Sequence, residues 1–227
     1  MGFPAQNDYI DIHTHGAEPH PGRFSVETLM AHEGRSYKET SGLAFIAGIH
    51  PWYLTPEDHD AQLSYVKSAV LSASVIGVGE AGFDKLRGPG TDLQRKTFEE
   101  QVDFSIQCNK PVIVHCVRSW EELLESHRRL RPVLPWLVHG FRAKKELALS
   151  LISKGFYLSF WFDFILRSEA SGLIAALPVD RIFLETDGSG TEISLIYSKV
   201  ASDLKMTADE LKTRLYNNFC NFFNKKV

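Results

Sequence analysis

Short apolar, β-favouring blocks recur along the chain, and between them the apolar positions switch to a helical spacing. The blocks read YIDIHTH, RFSVETLM, LAFIAGIH, SVIGVGEAGFD, PVIVHC, PWLVHG, GFYLSFWF and RIFLETDG. In TDLQRKTFEEQVDFSIQCNK, Leu93, Phe98, Val102 and Ile106 fall near a 3.6-residue period behind Thr91 or Asp92 as the cap. RAKKELALSLISKG predicts a second helix, closed by Gly155 at C′. TADELKTRLYNNFCNFF predicts another, with Thr207 and Glu210 at capping-box spacing. Strands alternating with helices imply parallel βα units. Eight of them predict an α/β fold, a (β/α)8 TIM barrel.

The first unit departs from that pattern. Only GAEPHPGR separates the first block from the second, and its two prolines and two glycines leave no room for a helix of normal length. The helix after the first strand is therefore expected to be degraded or missing. RFSVETLM is the block that also admits a helical reading.

Composition narrows the class. With 227 residues, 44% hydrophobic and 23% charged, residues 1–227 are expected to form a single globular domain with a sizeable core. A net charge of −3 and a pI near 6.3 give no global pull toward nucleic acid, so any such contact must come from a local basic surface. The clusters SHRRLR and RAKKE read as solvated helix faces. The start of the chain lacks a signal-peptide pattern, and no apolar run approaches the ~18 residues that span a bilayer. Cys108, Cys116 and Cys220 are odd in number and well separated, which fits a reducing, cytoplasmic setting. No protein partner and no membrane are implied.

The polar residues that close the blocks carry the chemistry. His13 and His15 share one face by strand alternation. His50 follows LAFIAGI, Glu80 follows SVIGVG, His115 follows PVIV, His139 follows PWLV, and Asp187 follows RIFLET. Active sites of barrels lie at the C-terminal ends of the strands, so residues scattered along the chain would converge there. Four imidazoles and two carboxylates (His13, His15, Glu80, His115, His139 and Asp187) suit one or two divalent cations such as Mg²⁺, Mn²⁺ or Zn²⁺. Asp84 is placed to orient a ligand or to cap the turn that follows. Cys116 should face away from the metal residues. Trp52, Trp161 and Phe162 lie near strand ends, where they would stack on bases or pack the core.

The motifs IDIHTH, GIHPW, GEAGFD, PVIVHC, LVHGF and LETD resemble those of the TatD-type metal-dependent hydrolases, in that family's order, from Tyr9 to about Phe223. Gln94, Phe98 and the closing NFCNFF add to the match. The resemblance implies that His13, His15 and Asp187 hold one metal, that His115 and His139 hold a second, and that Glu80 bridges. It implies phosphodiester hydrolysis by a metal-bound hydroxide, with Asp187 and Glu80 as catalytic residues and DNA or a small phosphodiester as substrate. His50 and Arg118 are candidate substrate contacts. The chain departs from the family pattern at Val117, which intervenes before Arg118, and in short segments after His15 and Asp187. A binuclear amide or ester hydrolase of a small molecule, and a metal-binding protein without turnover, stay open as alternatives.

Overall fold

The computed structural model describes residues 3–223. Its strands are β1 (Tyr9–Thr14), β2 (Arg23–Met30), β3 (Leu43–Gly48), β4 (Val75–Asp84), β5 (Val112–Val117), β6 (Trp136–Val138), β7 (Tyr157–Trp161) and β8 (Ile182–Glu185). The helices are α1 (His59–Ala69), α2 (Thr91–Cys108), α3 (Trp120–Leu130), α4 (Lys145–Ser153), α5 (Phe162–Ile165), α6 (Ser168–Ile174), α7 (Ile193–Asp203) and α8 (Ala208–Phe222). The strands form one sheet in chain order, with β1–β2, β3–β4, β4–β5, β5–β6 and β7–β8 paired in parallel. This is the (β/α)8 barrel class. No helix follows β1, as expected, and β2 is a strand that ends in a single 3-10 turn at Ala31–Glu33. The loss of a regular helix thus extends to the second unit as well. Among the described residues no helix is long and apolar enough to cross a membrane.

The contacts divide the chain into two compact units. The first holds the described parts of Met1–Glu27, Glu39–Ala44 and His139–Val227. Here β1 lies beside β8, and β7 pairs with β8 from Leu158↔Ile182 to Trp161↔Glu185. The Tyr197 hydroxyl of α7 accepts from the Ile10 N–H at 3.0 Å and donates to the Ile10 carbonyl at 3.1 Å, tying the first strand to a late helix. Asn218 of α8 donates to the carbonyls of Val179 and Ile182 at 2.8 and 2.9 Å, which accounts for the asparagine in NFCNFF. The core is aromatic: Phe24, Phe183, Phe219 and Phe222 are fully buried. Each such side chain contributes roughly 1.5–3 kcal/mol by leaving water. The capping box between Thr207 and Glu210 is formed, and Gly155 sits past α4 at φ +92°, where its missing Cβ is required.

The second unit holds Thr28–Lys38 and Phe45–Val138. Its centre is the β4 ladder, with Ala81 opposite Val114 and Gly82 opposite His115. A Cβ on Gly82 would stand 2.0 Å from the His115 carbonyl oxygen, so only glycine permits this approach. Phe98 of α2 packs edge-on against Trp136 and tilted on Phe83, each with ring centroids 5.1 Å apart. The cap of α2 is Gly90 rather than Thr91 or Asp92. Gly90 takes the extended conformation of a cap, which leaves Thr91 as the first helical residue and Asp92 in the first turn, where its charge favours the helix dipole. Among the described residues Cys108, Cys116 and Cys220 form no disulfide.

Candidate metal centre

Each unit gathers its own cluster of metal-ligand side chains. In the first, β1 carries His13, and His15 follows one residue past the strand, while Asp187 stands two residues beyond β8. Asp11 fixes this junction: its carboxylate accepts from the Thr186 N–H at 2.9 Å and from the Thr186 hydroxyl at 2.6 Å. That places the end of β8 against β1, immediately before Asp187. Asp187 itself holds φ +51°, a left-handed conformation that aspartate tolerates better than most residues. Its Oδ1 lies 3.6 Å from His13 Nε2 and 3.5 Å from His15 Nε2.

Those separations test the fit of a cation. They exceed a good N–H···O bond. Two ligand atoms each ~2.1 Å from one ion, at the tetrahedral angle, lie ~3.4 Å apart. The donor atoms of His13, His15 and Asp187 all fall within 4.8 Å of one another, so the set fits one divalent ion. His13 is fully buried, whereas His15 and Asp187 are 34% and 27% exposed, so the cluster has a solvent side. Burial works against charge on Asp187, but His13 and His15, with His139 beyond them, hold its carboxyl well below the usual carboxylate range. Asp11 goes the other way: burial pushes its carboxyl up to about 7 against the two bonds from Thr186, and the nearby Glu185 adds to the rise.

His139 follows β6 directly, and its ring lies 4.3 Å from that of His13, centroid to centroid. Behind it is Glu185, fully buried, with Oε1 3.5 Å from His139 Nδ1. Glu185 also accepts from the Gly140 N–H at 2.8 Å and from the Ser159 hydroxyl at 2.5 Å. The carboxylate held by these two donors faces the His139 ring at a distance longer than a hydrogen bond.

In the second unit, β4 presents Glu80 and β5 presents His115, with His50 beyond β3. Glu80 and His115 lie within their strands rather than at the ends, because the β4–β5 ladder continues through Asp84↔Val117. Glu80 Oε1 is 2.7 Å from His115 Nδ1 and 3.0 Å from His50 Nε2. The three residues have donor atoms within 4.8 Å of one another. His50 and His115 nevertheless differ in their capacity to bind a cation. The Trp52 backbone N–H donates to His50 Nδ1 at 3.1 Å, so a neutral His50 carries its proton on Nε2 and points a donor, not a lone pair, at Glu80. His115 Nε2 instead faces Asp84 Oδ2 at 3.1 Å. With that nitrogen donating to Asp84, Nδ1 keeps its lone pair, which takes the His50 Nε2–H at 3.2 Å beside Glu80 and would have to leave it to bind a cation.

Asp84 performs both roles the sequence left open. It faces His115, accepts from Trp52 Nε1 at 2.5 Å, and accepts from the N–H groups of Leu86 and Arg87 in the following turn. Burial opposes its charge, yet His115, Trp52 and the Leu86 N–H together hold its carboxyl below the usual range. Gln94 clamps the Asp84 backbone on both sides, accepting from its N–H at 2.8 Å and donating to its carbonyl at 2.9 Å. Trp52 has the Arg87 guanidinium 3.8 Å over its ring. Arg118 is exposed just past β5 and joins none of these contacts. Burial pushes the Cys116 thiol up, which suits an inert residue rather than a nucleophile.

Asp11 and Glu185 are the site residues that motif reading passed over. Asp11 is two residues before His13, on the same strand face, and Glu185 is two before Asp187. That spacing is the signal that points to them.

The model of the family described as TatD related DNase matches residues 24–224, most of the chain but beginning after the His13–His15 pair. The chain is 31% identical over 159 residues to a 3'-5' ssDNA/RNA exonuclease TatD of Edwardsiella piscicida, covering 62% of this chain and 56% of that protein. It is 28% identical over 171 residues to an uncharacterized metal-dependent hydrolase, YcfH, of Escherichia coli K12, covering 74% and 61%. The matches thus span little more than half the length of these curated relatives. Among solved structures, the TatD homolog YJJV of Escherichia coli K12 superposes with a TM-score of 0.75 over 97% of this chain and 99% of that one, at 22% identity. A TatD family hydrolase of Entamoeba histolytica reaches 0.77 over the same shares at 17% identity, and both likenesses show the barrel fold. The chain belongs to the TatD related DNase family.

Proposed function

We propose that the chain is a divalent-metal-dependent phosphodiesterase that hydrolyses nucleic-acid strands, acting as one domain over residues 1–227. The observation that carries this reading is the pair of His–carboxylate clusters, with Asp84 bonded behind His115 and the buried Glu185 facing His139. In this reading His13, His15 and Asp187 would hold a divalent ion, and Glu80, His115 and His139 would supply further ligands. Ions bound there supply an acidified water and neutralise charge on the phosphoryl oxygens. Relatives named as a 3'-5' ssDNA/RNA exonuclease and as a deoxyribonuclease support the substrate class. Three cysteines without a disulfide support a reducing, cytoplasmic location.

The residues then divide the work. Asp187, ionised at rest, takes the proton of the attacking water as the water oxygen bonds to phosphorus, and the P–O bond to the departing sugar breaks with the sugar oxygen taking a proton from solvent. His50, whose Nε2 carries a proton, donates to a phosphoryl oxygen. Asp84 holds the His115 ring, and Glu185 presents its charge toward His139. The half-exposed His15 and Asp187 leave the first cluster open to substrate.

The test strips the protein with a chelator, restores Mg²⁺, Mn²⁺ or Zn²⁺, and follows bis(p-nitrophenyl) phosphate and single-stranded DNA beside a His13→Ala control. Metal-dependent turnover of both substrates, lost in the control, is expected. Turnover of neither substrate with any metal sinks the reading and turns attention to amides and esters.

A further inference from the structure

We propose that a cationic pocket in the first unit holds backbone phosphates of the strand being cut, away from the scissile bond; this rests on the phosphodiesterase reading above. The pocket has a volume of about 380 Å³ and is lined by Arg142, Lys144, Lys145 and Arg167 around an apolar floor of Phe164 and Leu173. The basic run RAKKE is exposed to solvent, and three of its cations border this one cavity. Arg142 and Lys144 precede α4, and Arg167 comes from the link between α5 and α6, so separate segments bring their charge to one cavity.

The charge there is largely uncompensated. Arg167 is spent on Asp163, at 2.5 Å. Lys144 and Lys145 form no ion pair among the described residues, and Arg142 only overlies the Trp161 ring, 5.9 Å from its centroid. Glu169 is the acidic residue in the lining. Lys144 is also the N-cap of α4, and no side chain caps the first N–H groups of that helix. Cations and free N–H donors around one cavity favour an anion. The apolar floor favours a sugar or base over a compact inorganic ion.

Position names the anion. Arg142 lies three residues past His139, so their Cα atoms are at most about 11 Å apart. A chain of phosphates that places one member at the metal residues passes this pocket with another. Single-stranded nucleic acid has that repeat and its bases expose flat apolar faces. A lone phosphate or an acidic peptide meets only part of the requirement.

The experiment measures binding of a fluorescent single-stranded oligonucleotide by anisotropy in excess chelator, across a salt series. It compares wild type, the Lys144→Gln, Lys145→Gln double variant, and a charge-matched Lys67→Gln, Lys154→Gln control. Far-UV circular dichroism checks folding of each. Loss of two phosphate contacts is expected to flatten the slope of log affinity against log salt by about 1.4 and to weaken low-salt binding roughly tenfold. The control is expected to bind as wild type does. Equal binding by the pocket variant and wild type overturns the proposal, as does the absence of binding by wild type. Competition by poly-glutamate as strong as by oligonucleotide of equal charge overturns it in favour of an acidic peptide. Turnover of bis(p-nitrophenyl) phosphate by wild type, measured in parallel, separates failure of this pocket from failure of the phosphodiesterase reading.

Discussion

Single protons decide what the histidines can do. His50 and His115 both lie against Glu80, yet a backbone N–H spends the Nδ1 lone pair of His50, whereas Asp84 on the far nitrogen of His115 turns its Nδ1 toward Glu80 and the His50 Nε2–H. His50→Gln is therefore expected to keep full metal stoichiometry by atomic absorption while turnover falls about 100-fold, the usual scale for losing one donor to a developing charge. Loss of metal in that variant would make His50 a ligand instead. Asp84→Asn weakens the hold on His115, and metal affinity measured against a chelator dye is expected to fall about 10- to 100-fold. Unchanged affinity would limit Asp84 to the turn at Leu86 and Arg87. The residue types of the two clusters were legible in the sequence. The lone-pair arithmetic was not, because it depends on the Trp52 N–H and on neighbours such as Ser159, 26 residues from the Glu185 it binds.

Elements explain which of the sequence readings held. Periodicity located α2 and α8 because each has a single buried face, with Phe98 and Val102 inward in one and Leu211 and Leu215 in the other. The Thr207 box was legible because its two partners are three residues apart, and both bonds are local. Thr207→Ala is expected to cost ~1 kcal/mol in urea unfolding. The cap of α2 was misplaced because a glycine cap leaves no side-chain signature. The turn-only link after β2 escaped notice because the loss of a helix is easy to see only where prolines mark it. Gly82 carries the heaviest local demand of any strand residue here. With a Cβ 2.0 Å from the His115 oxygen and φ at +150°, Gly82→Ala is expected to cost ~3 kcal/mol or more, or to yield no folded protein. A loss below ~1 kcal/mol in urea would mean that β5 retreats freely.

At the scale of the molecule, ligands and fold are one thermodynamic system. A cation that binds the folded chain at a hundred times its dissociation constant adds about 2.7 kcal/mol to stability. For a chain of this size that is roughly 5–10 °C in Tm, so chelation followed by calorimetry is expected to lower the midpoint by that amount. An unmoved midpoint would argue against metal in the folded protein. The barrel class was legible from the alternation of strand and helix, but the partition into two compact units was not, since it interleaves distant segments. That interleaving has a consequence in time. Asp11 and Thr186 are 175 residues apart, and Ile10 and Tyr197 are 187 apart, so the first strand, which can pair with β2 early, waits far longer for its partners near β8 and in α7. On the ribosome, where some 5–20 residues emerge each second, the His13–His15–Asp187 cluster cannot close until Asp187 has emerged. A newborn chain passes through that interval with His13 and His15 made and the carboxylate they face still missing.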